Sequence, residues 1–178
     1  PDLPLPLVEE QPRLLPVPPT GRRETARLDA ARLYGIRVHA LLEWLRPELP
    51  LEGQAESLRA KLELDEDSFA PLWRSALEVL EAPELRHFYD PAQYLAAYNE
   101  LGYQGADGEL RRLDRLVEFA DSVWVLDYKT GASGGDPQAL AAPYLGQMRE
   151  YRDAMGSVFP GKTIHCALIF PGPVLVEV

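Results

Sequence analysis

Cysteine is almost missing from this chain: 178 residues hold one, Cys166. That excludes a disulfide framework, a four-cysteine zinc site and an iron–sulfur cluster. No run of about 18 uncharged apolar residues is present, so no segment reads as a membrane span. No signal peptide is visible either, which points to a reducing, cytoplasmic compartment. Positive charge is scarce, with 18 basic against 28 acidic residues and a net charge of −10. Such a balance disfavours unaided, non-specific nucleic-acid binding, which depends on neutralising phosphates. It does not exclude a protein whose acids hold metal ions, but something else must then deliver a nucleic-acid substrate. The chain starts at Pro1 without methionine, as expected of a processed protein or a part of a longer one. What remains is 46% hydrophobic and 26% charged, enough to build one globular domain with a real core.

Seven of the 17 prolines fall in residues 1–20. Proline fixes φ and lacks an amide donor, so this stretch reads as an extended arm or linker, with the folded domain over 21–178. No internal repeat is visible. From Glu24 to Leu45 apolar residues recur on a helical period, interrupted at Gly35 and ended by Pro47. Gln54–Leu64 predicts a second, shorter helix. A third is expected to be capped by Asp67, with Phe69, Leu72, Trp73, Ala76, Leu77 and Leu80 as its apolar face, ending or kinking at Pro83. One more turn is expected in Pro83–Phe88. Tyr94–Gln104, Glu109–Phe119 and Ser122–Lys129 are rich in β-formers and separated by turn signals at Ala106–Asp107–Gly108 and Ala120–Asp121. Thr130–Asp136 reads as a flexible loop. Asp136 and Pro137 then open a helix that runs to about Ser157, restarting at Pro143. Ile164–Phe170 and Val174–Val178 complete a hairpin across Pro171–Gly172. Helices, three strands, a helix and two strands predict a mixed α/β (α+β) domain with helices on a central sheet.

Asp127 and Lys129 lie two apart at the end of an apolar strand, so both point to one face. If Ala120–Asp121 is a two-residue turn, Phe119 faces Ser122, and counting back sets Asp114 opposite Asp127. A three-residue loop with left-handed Gly108 puts Gln104 or Gly105 near Glu109. Pairing Gly105 with Glu109 makes Glu100 the partner of Asp114. Glu100, Asp114 and Asp127 then form a row across three strands, with Lys129 beside it. Facing carboxylates repel, and an oxygen-rich row is relieved by magnesium or manganese. An extra bulge would shift this count. Arg111, Arg112 and Arg115 are also available to pair with these acids. His87 and His165 read as structural or surface histidines, and Cys166 as a small buried hydrophobe. Tyr94, Tyr98 and Tyr103 suit packing better than base stacking.

The run Leu113-Asp114-Arg115 followed by Asp127-Tyr128-Lys129-Thr130 resembles the nuclease domain of RecB and AddA. These belong to the PD-(D/E)xK superfamily, with a restriction-endonuclease-like fold, and form the C-terminal part of UvrD-like helicase–exonucleases. Three more elements are similar and stand in the family's order. Tyr34-Gly35-Ile36-Arg37-Val38-His39 resembles the upstream G-x-x-x-H helix. Asn99-Glu100 resembles the acidic strand before the hairpin, and Gln147-Met148-Arg149-Glu150-Tyr151 the Q-x-x-x-Y helix. The resemblance covers about residues 34–151. It implies Asp114, Asp127, His39 and the Tyr128 carbonyl as metal ligands, Lys129 as the catalytic lysine and Glu100 as a further active-site acid. Gln147 and Tyr151 match residues on the DNA-facing side. Arg111 and Arg112 stand where the family commonly has glycine.

The resemblance further implies magnesium-dependent hydrolysis of DNA phosphodiesters, with manganese as a possible substitute. It also implies a helicase in the same polypeptide ahead of the Pro-rich arm, which feeds single strands to this domain during double-strand-break processing and recombinational repair. A second helicase–nuclease subunit is a further possible partner. No G-x-x-x-x-G-K-[ST] sequence is present, so ATP is expected only in the helicase part. The competing class is an inactive DNA-binding or scaffolding module. Such a module should have lost Asp114, Asp127 or Lys129, and this chain keeps all three.

Overall fold

A computed structural model describes residues 22–105, 107–129 and 135–178. The Pro-rich arm, Ala106 and most of the Thr130–Asp136 loop lie outside them. α1 (Arg22–Trp44), α2 (Ala55–Lys61) and α3 (Glu66–Glu81) precede the strands. β1 (Ala96–Gln104), β2 (Leu110–Glu118) and β3 (Ser122–Tyr128) follow. α4 (Pro137–Ala141) and α5 (Leu145–Val158), joined by a 3-10 turn over Ala142–Tyr144, lead to β4 (Thr163–Phe170) and β5 (Val174–Glu177). The strands form one mixed sheet in the order β1-β2-β3-β4-β5. Only β3 and β4 pair in parallel; the other three pairings are antiparallel. The parallel pair is the one whose connection contains helices, because parallel strands need a long crossover.

Two cores separate three layers. On one face, Val38, Leu41 and Leu42 of α1, Leu45 just after it, and Phe69, Leu72, Ala76 and Leu80 of α3 pack with Leu126, Tyr128 and Ile169. On the other, Met148, Tyr151 and Met155 of α5 pack with Leu116, Val123, Val125 and Leu168. Burying each large aliphatic side chain contributes about 1.5–3 kcal/mol. α1 runs through Gly35 without interruption: Gly35 is buried on the inward stripe. The cap of α3 is Asp65, not Asp67, and its side chain accepts the Ser68 amide at 2.7 Å. Asp67 lies in the first turn instead, where a carboxylate favours the helix dipole.

Both hairpins have the predicted register. The Gly105 amide donates to the Glu109 carbonyl at 2.8 Å, and Gly108 closes the loop at φ 83°. The Phe119 amide donates to the Ser122 carbonyl at 2.8 Å. Asn99 pairs with Arg115 and Leu101 with Leu113, which sets Glu100 opposite Asp114. The ladder nevertheless breaks there. Glu100 has φ 54°, a left-handed conformation uncommon outside glycine. The strands change sides across this point. Ala97 packs with the first core but Leu101 and Tyr103 with the second. In β2, Leu113 and Leu116 both enter the second core although they are three apart.

Candidate active site

The kink at Glu100 and the end of β3 create the site. His39 is carried by α1, next to the buried Val38, and its Nε2 lies 3.0 Å from Asp114 Oδ2. The same Oδ2 accepts the Tyr128 amide at 2.9 Å. A carboxylate thus replaces a ladder partner where β2 and β3 separate. Ligand atoms of His39, Glu100 and Asp114 all lie within 4.8 Å of one another, and no other group of three or more such residues occurs among those described. Both Glu100 oxygens are buried without a hydrogen bond, although the exposed Arg112 guanidinium meets Oε2 as an ion pair.

Asp127 falls outside this cluster. Its Oδ2 ion-pairs with Lys129 Nζ at 2.5 Å without hydrogen-bond geometry, and its Oδ1 lies 3.5 Å from the Tyr151 hydroxyl. Lys129 Nζ donates to Gln147 Oε1 at 3.3 Å, and Gln147 Nε2 donates to the Tyr151 hydroxyl at 2.7 Å. The expected single row of Glu100, Asp114 and Asp127 is therefore two adjoining half-sites. One, on the α1 side, holds His39, Glu100 and Asp114. The other, toward α5, holds Asp127, Lys129, Gln147 and Tyr151. Alternation breaks in both strands, at Glu100 in β1 and between Leu113 and Leu116 in β2, so Asp114 joins His39 and Glu100 while Asp127 stays on the α5 side.

The electrostatics fit a missing positive charge. Burial pushes the Glu100 pKa up, and neighbouring Glu43 and Asp114 push it further. Burial, then the Asp114 charge, likewise raises Asp127, with Lys129 opposing. The hydrogen bond to Asp114 raises His39 against its burial. Two oxygen donors, one imidazole and buried carboxylate oxygens without hydrogen bonds form a donor set that suits a hard divalent cation.

A layer beneath the α1 half holds it in place. Arg115, 3% exposed, donates from Nη2 to the Phe88 carbonyl at 2.8 Å and from Nη1 to Asn99 Oδ1 at 2.6 Å. Asn99 in turn donates to the Glu43 carbonyl at the end of α1, 2.9 Å away. The Arg115 guanidinium lies 4.7 Å from the Tyr89 ring centre, and the Tyr89 and Tyr128 hydroxyls are 2.6 Å apart. Sequence reasoning took Arg115 as a partner for the acids and missed this role. Its position among buried β2 residues was the available signal. Tyr151 is also buried, at 4% exposure, whereas Gln147 is half-buried at the cleft. His87 packs against Phe88, with ring centres 3.7 Å apart, and His165 stacks on Trp124 at 4.4 Å. Cys166 is fully buried, and burial pushes its thiol up to about 11.

No curated protein matches the chain. The sequence profile of the PD-(D/E)XK nuclease superfamily matches residues 13–172. That span contains β1 to β4 but not β5, and it holds the His39–Glu100–Asp114 cluster and the Asp127–Lys129 pair. A mixed sheet between helical layers is also the restriction-endonuclease-like arrangement. On this match and this architecture the chain belongs to the PD-(D/E)XK nuclease superfamily.

Proposed function

We propose that the chain is a magnesium-dependent deoxyribonuclease domain, acting as an exonuclease on single strands delivered by an ATP-driven helicase of the same polypeptide. The convergence of His39, Glu100 and Asp114 beside an intact Asp127–Lys129 pair carries this reading. A bound divalent cation would supply Lewis acidity to a phosphate oxygen and lower the pKa of a water. His39 Nε2, the Asp114 carboxylate and Glu100 would hold it, with Asp127 and the Tyr128 carbonyl completing the set that the motif implies. Manganese should substitute, because the donor set is oxygen with one imidazole.

The residues around that centre divide the work. Asp114 fixes the start of the Tyr128–Lys129 segment through the Tyr128 amide. Lys129 places an ammonium against the α5 wall, where it orients water and offsets charge that grows on the phosphate. Gln147 presents the strand-facing side of that wall, and Tyr151 braces it from behind. The net charge of −10 supports delivery by another part of the machine over capture from solution. Double-strand-break processing and recombinational repair in the cytoplasm are the setting this assignment suggests. A second helicase–nuclease subunit is a further candidate partner.

The test is cleavage of end-labelled single-stranded DNA with magnesium, manganese or EDTA. Cleavage that needs the metal and disappears in Asp114→Asn is expected. Cleavage that persists in EDTA, or at the wild-type rate in Asp114→Asn, would reject the assignment.

A further inference from the structure

Tyr144 belongs to none of the motif elements, yet its ring covers the Lys129 ammonium. Lys129 Nζ lies 4.1 Å from the Tyr144 ring centre. Its other contacts are Asp127 Oδ2 at 2.5 Å and Gln147 Oε1 at 3.3 Å. An ammonium carries three N–H donors and no acceptor, and these partners are a charge, an amide oxygen and a π face. The Lys129 backbone is fixed where its amide donates to the Ile169 carbonyl at 2.8 Å, but its long side chain has many rotamers. The ring is itself well located. It sits on the 3-10 turn Ala142–Tyr144, whose proline restricts the chain, and it packs at a tilt against buried Phe170, with ring centres 6.5 Å apart.

Resting on the nuclease reading, we propose that Tyr144 is a positioning residue for Lys129. Its π face holds the ammonium at the mouth of the cleft, as a third partner beside Asp127 and Gln147. Three partners in fixed directions limit the rotamers of that long side chain. A π face attracts a cation without neutralising it, so the ammonium stays available to substrate. Tyr144 contributes no ligand and needs no contact with DNA.

The experiment uses the full chain and two variants. Tyr144→Phe keeps the ring and Tyr144→Leu keeps apolar bulk against Phe170 without it. For magnesium-dependent cleavage of single-stranded DNA, Tyr144→Phe is expected within about twofold of wild type. Tyr144→Leu is expected to lose about tenfold in kcat, with KM and the Kd for DNA in EDTA unchanged; this corresponds to a cation–π contribution of ordinary size. A second readout needs no activity. The chain has three lysines, Lys61, Lys129 and Lys162, so 13C labelling at lysine Cε gives three assignable signals, that of Lys129 by its loss in Lys129→Arg. The Lys129 ε-methylene should show an upfield ring-current shift that Tyr144→Phe keeps and Tyr144→Leu removes. Wild-type kcat in Tyr144→Leu, an equal loss in both variants, a weakened DNA Kd, or a Lys129 signal indifferent to Tyr144 would each overturn the proposal. A wild-type chain inactive with magnesium and manganese would instead overturn the nuclease reading, and this one with it.

Discussion

The two halves of the site balance their charges in opposite ways. Toward α5, Asp127 has Lys129 at 2.5 Å, and Lys129 has Gln147 and the Tyr144 ring besides. Toward α1, His39, Glu100 and Asp114 crowd within 4.8 Å, and both Glu100 oxygens are buried without a hydrogen bond. One half pairs its charges within the chain, while the other gathers carboxylates that suit a cation. Each half gets its order from a different source. The α5 half is preorganised by side chains. The α1 half is held from behind by Arg115 and Asn99 and presents a donor set that suits a cation. Perturbing each half should therefore give separable signatures.

The largest effect is expected from Asp114→Asn. The amide keeps an oxygen but loses the charge that joins His39, the Tyr128 amide and the cation. Cleavage should fall to background, and the rise in melting temperature with added manganese should vanish, because a ligand stabilises only what it binds. Retention of that thermal shift would place the metal elsewhere.

Lys129→Met should separate the halves. Removing a preorganised positive group from a reacting centre costs about 10²–10³ in rate, so cleavage should nearly disappear. The α1 cluster is untouched, so the manganese thermal shift should persist at wild-type size. Loss of the shift in Lys129→Met would mean that the two halves form one cooperative unit.

Arg115→Leu strikes the support. It leaves the Phe88 carbonyl and Asn99 Oδ1 in the interior without their donor. Hydrogen bonds to a charged group contribute about 1.5–3 kcal/mol each, so a loss of roughly 3 kcal/mol is expected after relaxation. For a chain of this length that lowers the melting temperature by roughly 6–12 °C. Metal affinity should fall as well, since Asn99 ties the Glu100 kink to the end of α1. A drop in melting temperature with unchanged manganese affinity would show that the support is general packing. Arg115 is also an expectation that the structure reverses. Of the three arginines available to pair with the site acids, Arg112 alone does so among the described residues. Arg115 is buried, Arg111 pairs with Asp107 at 2.5 Å, and Arg112 meets Glu100.

Much of this was legible in the sequence, for reasons that are local. Turn chemistry set both registers: left-handed Gly108 and the two-residue turn at Ala120–Asp121 fix which residues face each other. The helical period over 24–45 marked α1, but His39 was legible only through the resemblance to the G-x-x-x-H helix. The split of the site was not read, because counting along hairpins assumes strict alternation, and Glu100 breaks it with φ 54°. A trace of the break is in the sequence. Leu113 and Leu116 stand three apart, a spacing no regular strand can hold on one face. Tyr144 was invisible for a different reason. Its partner is Lys129, fifteen positions away across a crossover, and no local period connects them.

The smallest effect tests the crowding itself. Glu100→Gln preserves shape and an oxygen but removes one charge from the α1 cluster. Burial disfavours the charged Glu100 carboxyl, and Glu43 and Asp114 add to that against Arg112 and His39, so in the folded protein this charge is destabilised when no cation is bound. The substitution also removes the ion pair to Arg112, whose side chain is 61% exposed, and exposed pairs contribute little. Relief of facing like charges amounts to about 0.5 kcal/mol, so the metal-free melting temperature should rise by roughly 1–2 °C. With manganese the order should reverse, because the wild-type carboxylate gains most from the cation. Curves measured in EDTA and in manganese, for wild type and Glu100→Gln, therefore cross. A variant less stable than wild type in EDTA would mean that the Arg112 pair outweighs the crowding, and the α1 half would then be as self-sufficient as the α5 half.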